Sequence, residues 1–289
     1  MVDAKIGLVP LNWKYLPTAM STYVAAIADY GFKGIQISLG QASSPEFLDL
    51  LFKHRVEIAE IYVAVKMTPE GIQKASESEA EEIISLATKV GAQMIVFAVD
   101  GSDDRDITAT RSSTAPKLSK LANEQLAELI NRFAKMANDS GIKSSFHPHA
   151  ATYVESQDET DQLLALLNPD LVGLCLDVGH WIVAGEDPIE AVVKYNKRIT
   201  HIHVKDVSAE VLTKLESEEI LSMEDAVSNH KLFLPAGTGL LELDNLCSEL
   251  KKINYSGWLM SEQDSAWEPA EAASGVSYAA IKKAISGAM

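Results

Sequence analysis

Val172-Gly173-Leu174-Cys175-Leu176-Asp177-Val178-Gly179-His180-Trp181 is an apolar run that stops on a carboxylate, a glycine and a histidine. Its first six residues show no polar–apolar alternation, which reads as a parallel strand covered on both faces. Five runs of the same character precede it, Lys5–Val9, Gly34–Ser38, Ile58–Val63, Met94–Val99 and Lys143–His147; two follow, Ile199–Val204 and Trp258–Glu262. Amphipathic helices separate them. Glu79–Val90 places Ile83, Ile84, Ala87 and Val90 on one face, and Asn123–Ser140 does the same with Leu126, Leu129, Ile130, Phe133 and Ala137. Gly31, Gly91 and Gly141 each close a helical run just before a strand, where a C′ glycine relaxes the turn. Strict alternation of eight strands with helices selects an α/β fold of the (β/α)8 TIM-barrel type over a doubly wound sheet.

Composition agrees with one large globular unit. The chain has 289 residues, 47% of them apolar and 23% charged. A chain of that length buries roughly three quarters of its unfolded surface and needs no disulfide or structural metal. No Gly/Ser-rich or Pro-rich linker divides it, so residues 1–289 read as a single domain. Two segments, Asp100–Lys120 and Ser208–Leu234, are longer than ordinary βα loops and are expected to lie over the catalytic face. No apolar stretch approaches the ~20 residues that a bilayer demands, which excludes a membrane span. With 25 basic and 41 acidic residues the net charge is −16, which repels phosphate backbones and anionic lipid and excludes nucleic acid and membranes as partners. Cys175 and Cys247 form no CxxC pair, and no basic, apolar leader follows Met1, so a cytoplasmic location is expected.

Polar residues collect where the late strands end. The fifth runs into His147-Pro148-His149-Ala150-Ala151-Thr152 and the sixth into Asp177-Val178-Gly179-His180-Trp181. The seventh carries His201-Ile202-His203-Val204-Lys205-Asp206, and the eighth closes on Glu262-Gln263-Asp264. Five of the seven histidines lie in three of these segments, and a barrel brings such strand ends to one rim. Period-2 geometry points His147 with His149, and His201 with His203 and Lys205, toward one side of their strands. Mixed Asp, His and Glu donors without thiolates suit a divalent cation such as Mn²⁺, Co²⁺ or Mg²⁺ better than a closed zinc site.

The Asp-x-Gly-His, His-x-His-x-Lys-Asp and Gly-Trp-x-x-x-Glu-Gln-Asp segments resemble the xylose-isomerase-like sugar isomerase/epimerase superfamily. With His147-Pro148-His149-Ala150-Ala151-Thr152-Tyr153-Val154-Glu155 added, the nearer likeness is to its inosose dehydratase branch, enzymes of inositol catabolism. The likeness extends to Pro10-Leu11-Asn12-Trp13, Ala184–Pro188 and Pro235–Gly239, and so over nearly the whole chain. It implies a cation, Mn²⁺ or Co²⁺ first and Mg²⁺ or Zn²⁺ next, held by four strand-end side chains. Asp177, His203 and Glu262 occupy three of those positions. His147 stands where the epimerases have glutamate, with His149 as the alternative ligand, and Glu155 is a candidate for their following catalytic glutamate.

The resemblance further implies a hydro-lyase acting on a cyclic 2-ketopolyol through an enediolate. A base removes the proton α to the ketone, and an acid protonates the departing β-hydroxyl. His149 and His180 are candidate bases, Glu262 a ligand that doubles as base only if its second oxygen is free, and Lys205 a candidate acid. Asn12, Trp13, Thr152, Glu155, Trp181 and Asp206 are the expected substrate contacts, and Trp13, Trp181 and Trp267 form an apolar wall against a sugar ring or pack the barrel mouth, with Trp13 favoured for the wall. A ketose epimerase or aldose–ketose isomerase would use the same site, and a non-catalytic sugar-binding barrel is the reading of a different class. A nuclease is disfavoured by the charge. The partner expected is a small polyol or sugar, with a homo-oligomer as a further possibility. Asp103-Asp104-Arg105-Asp106 reads as a solvated loop face, and the glycine-rich Pro235–Gly239 as a turn rather than a phosphate cradle.

Overall fold

The computed structural model describes residues 2–11, 13, 20–111, 113–265, 267 and 269–287, without the side chains of 74–77. Eight parallel strands close into a barrel: β1 Lys5–Val9, β2 Gly34–Gln36, β3 Glu57–Val65, β4 Met94–Val99, β5 Lys143–Phe146, β6 Val172–Asp177, β7 Ile199–Val204 and β8 Trp258–Glu262. Their order around the barrel is sequential, and β1 pairs with β8 to close it. The outer ring is α1 Met20–Tyr30, α2 Pro45–His54, α3 Lys74–Val90, α4 Lys120–Asp139, α5 Gln157–Leu166, α6 Pro188–Lys194, α7 Leu243–Lys252 and α8 Ala270–Gly287. The principal core lies between strands and helices, where Leu126, Ile130 and Phe133 of α4 and Ile84 and Ala87 of α3 are buried.

Local chemistry sets the element ends. Gly91 and Gly141 have φ of 70° and 80°, a left-handed turn that stops α3 and α4 before the next strand. β2 ends earlier than its apolar run because Ser38 turns to cap Leu39–Ala42, exchanging hydrogen bonds with Gln41 in a capping box. α4 begins three residues before the expected start, with the Ser119 hydroxyl accepting from Ala122 N. β5 stops at Phe146, yet His147 N still donates to Phe97 O at 2.7 Å and stays seated beside β4.

Small apolar clusters fill the barrel interior. Val9, Ala59, Trp258 and Met260 form one, and Met94, Val96 and Cys175 with Tyr62 another. Gly7 and Gly34 make room for the first, since a Cβ at Gly34 would lie 2.6 Å from the Trp258 ring. At the C-terminal rim, register lines up Asp177 with His203, and His203 with Met260.

Both long loops carry structure. Residues 206–207 pair antiparallel with 233–234, and the segment between them folds into helices Ala209–Glu216 and Met223–Ser228. It shares an apolar cluster with Ala109, Ala150, Ala151 and Val183, so it packs on the loops at the C-terminal ends of the strands. Glu224 N donates to Asp106 Oδ1 at 2.8 Å, joining the two long loops. The expected solvated face of Asp103–Asp106 needs correction. Arg105 is fully buried, and its guanidinium donates to Glu155, Glu159 and the Pro116 carbonyl. Among the described residues, no helix is long and apolar enough to cross a membrane.

Candidate metal centre and active site

Alternation along the strands delivers four donors to one point. His147, Asp177, His203 and Glu262 each offer an atom within 4.8 Å of the others, and all four are buried. His147 Nε2 lies 3.3 Å from Asp177 Oδ2. His203 Nδ1 lies 2.8 Å from Glu262 Oε2 and 3.7 Å from Asp177 Oδ2. Although they lie 2.8 Å apart, His203 Nδ1 and Glu262 Oε2 form no hydrogen bond, with each other or with any other described residue. Buried polar atoms without hydrogen-bond partners are costly, and a divalent cation would satisfy these two. Two imidazoles and two carboxylates therefore fit such an ion. His147, not His149, is the histidine brought into the group.

Lys205 continues the same face of β7 past its end. Its ammonium lies 2.9 Å from Asp177, 3.2 Å from Glu262, 2.7 Å from Asp264 and 2.9 Å from His180 Nε2. Burial by itself favours neutral lysine, but these carboxylates outweigh it and hold its pKa above the ordinary value. Burial likewise opposes ionisation of Asp177, and the Lys205 ammonium overcomes it, keeping that carboxyl well below its usual range. For Glu262 burial prevails, with Asp264 adding to it, and its pKa is raised. Burial opposes protonation of His203 too, yet Cys175, Glu60 and Glu262 hold its pKa well above normal. The carboxylates carry that effect, because burial pushes the Cys175 thiol up to about 12 and leaves it uncharged at neutral pH.

His149 and His180 stack with ring centroids 3.5 Å apart. An ammonium only donates, so His180 Nε2 accepts from Lys205 and the proton sits on Nδ1, which is buried without a partner. His149 Nδ1 donates to Ala150 O at 2.6 Å, leaving Nε2 as the acceptor. Enclosure, then the charges of His147 and Lys205, bring His149 down to about 3; enclosure and His149 bring His180 well below its usual value. Both are neutral at physiological pH. They line a cavity of about 430 Å³ with Phe233, Asp264, Asp103, Asp106 and Glu224, a space of the size that takes a sugar-sized ligand.

The expected substrate contacts fare differently. Glu155 is drawn away from the centre, because its oxygens accept from Thr110 N, Ala151 N and Arg105. Asp206 accepts from the amides of Val207, Gly237, Gly239 and Leu241, so it shapes the Pro235–Gly239 turn instead of facing a ligand. Those glycine amides are thereby unavailable to phosphate. The Thr152 hydroxyl is committed to the carbonyls of His149 and Val154. Trp13 is packed edge-on against Tyr23 and Tyr30 with its Nε1 on Ser274, and Trp181 is buried against Tyr195, so neither forms a wall for a sugar. Asn12 lies outside the described residues.

Glu60 was missed altogether. It is fully buried in β3, with His203 Nε2 at 3.0 Å and His201 Nε2 also on its Oε2. The signal was present: a carboxylate within Ile58-Ala59-Glu60-Ile61-Tyr62-Val63, where burial of an unpaired charge is prohibitive.

Barrel, rim and donor set together form a candidate metal site at the strand ends of an α/β barrel. Residues 24–283 match the family model described as xylose isomerase-like TIM barrel, and the chain belongs to that family. Inosose dehydratase of Clostridium beijerinckii is 29% identical over 282 residues, spanning 91% of each chain. A crystal structure of 3-keto-D-glucoside 4-epimerase from E. coli superposes with a TM-score of 0.73 at 16% identity, covering 97% of this chain and 99% of that one. The IolI protein with a bound zinc atom gives 0.71 at 15% identity and 99% coverage of both.

Proposed function

We propose that the chain is a divalent-metal-dependent hydro-lyase that removes water from a cyclic 2-ketopolyol, with 2-keto-myo-inositol (inosose) as substrate and Mn²⁺ or Co²⁺ as the cation. The observation that carries this is the meeting of His147, Asp177, His203 and Glu262 beside a buried ammonium and two neutral imidazoles. The inosose dehydratase named above supports the reading, as does the zinc in the IolI structure. His147, Asp177, His203 and Glu262 would hold the cation, which supplies Lewis acidity toward the ketone oxygen.

The chain's own groups handle the protons. His149 presents Nε2 to the cavity as an acceptor for the proton α to the ketone. Lys205, charged and within reach of Asp264 at the cavity wall, donates to the departing hydroxyl. His180 accepts from Lys205 and turns its Nδ1–H away from that bond, toward a substrate oxygen. Phe233 and the 208–234 segment exclude water from the rim. The test is to incubate Mn²⁺- or Co²⁺-loaded protein with 2-keto-myo-inositol and a panel of ketohexoses. Ultraviolet absorbance of a dione from inosose is the expected result. Interconversion of ketohexoses without that absorbance supports an epimerase instead, and metal uptake with no turnover a sugar-binding barrel.

A further inference from the structure

Beneath the metal centre a buried carboxylate, Glu60, sits among the apolar clusters of the barrel interior. Glu60 has no exposed surface, and its Oε2 accepts from two imidazoles at once, His203 Nε2 at 3.0 Å and His201 Nε2. Its other oxygen, Oε1, has no hydrogen-bond partner. Packing alone does not explain a charge there, since a hydrophobic residue of similar size would avoid its desolvation.

We infer that Glu60 is a positioning residue that fixes which nitrogen of His203 faces the cation, an inference that rests on the metal reading above. A carboxylate only accepts, so Glu60 holds a proton on His203 Nε2, and Nδ1, which lies toward Glu262 and Asp177, is the nitrogen that must give up its proton to meet the cation. A histidine without that partner can present either nitrogen or turn its ring. An anionic acceptor behind a ligating imidazole also strengthens it as a donor. His201 completes the device: it donates to the same Oε2 and pins the carboxylate from the far side. The His201–His203 pairing seen in sequence thus divides into one histidine that faces the metal and one that holds Glu60.

Glu60→Gln keeps the shape and removes the charge. Zinc affinity, measured by competition with a chromophoric chelator at fixed pH, should fall about 10–100-fold. In ¹⁵N-histidine spectra the Nε2–H of His203 should exchange slowly in the parent and markedly faster in the variant, whose uncharged amide oxygen is a weaker acceptor, a change that a merely structural role would not produce. Unchanged affinity overturns the inference. So does binding of two zinc ions by the parent and one by the variant, because Glu60 would then be a ligand with His201 and His203. If the variant does not fold, the parent decides: zinc loading must shift Nδ1 of His203 and retain its Nε2–H, and loss of that proton refutes the role. A parent that takes up no zinc refutes the proposed function alone, and the Nε2–H of the metal-free chain still decides on Glu60.

Discussion

Asp177 and Glu262 supply the two carboxylates of the candidate metal group, and both also contact Lys205. The Asp177→Asn, Glu262→Gln double variant should therefore lose the ion, leaving less than about a tenth of the parent's occupancy by elemental analysis, as expected when anionic ligands are neutralised. Full occupancy would contradict the assignment. Lys205→Met separates acid from scaffold. It should abolish loss of water, while exchange of the α-proton with solvent, followed by NMR, continues. If exchange and metal affinity fall together instead, Lys205 serves to neutralise the carboxylates. These residues were legible because they end strands and because period 2 fixes their side. Glu155, Asp206 and Thr152 were misread for a reason that spacing cannot reveal: backbone amides, carbonyls or Arg105 already hold their oxygens.

Among the elements, the strands were found nearly to the residue, since buried parallel strands are short, apolar and bounded by turns. The loops were not. Residues 103–106 look solvated by composition, and only the fold brings Glu155 and Glu159 to Arg105. Arg105→Met would leave two buried carboxylates uncompensated, and urea denaturation should show a loss of roughly 3–5 kcal/mol. A change under 1 kcal/mol would mean that the tie is dispensable. The turn after β6 has a tighter constraint. A Cβ on Gly179 would sit 2.4 Å from Lys205 Cγ, against a stem with no room to yield. Gly179→Ala should displace the ammonium and cut turnover about 10²-fold, the scale of an ångström of misplacement, while metal content is unchanged. Parent-like kinetics would show that the ammonium's position is not critical.

At the scale of the whole molecule, a barrel of shared architecture becomes a particular catalyst through what its rim collects. Six polar groups from β6, β7, β8 and the turns beyond β5, β6 and β7 meet there, His147, Asp177, His180, His203, Lys205 and Glu262, with Glu60 of β3 beneath them. Two long loops, joined at Asp106 and Glu224, cover them and leave a cavity beside His149 and His180. The fold was readable from alternation alone. The reaction was not, because whether a β-hydroxyl is placed for expulsion is a property of the substrate. The most direct measurement is turnover of 2-keto-myo-inositol deuterated α to its ketone by the Mn²⁺- or Co²⁺-loaded chain. Appearance of dione absorbance together with release of the deuteron to solvent is the predicted result. Full metal loading with the deuteron retained and no absorbance would contradict it.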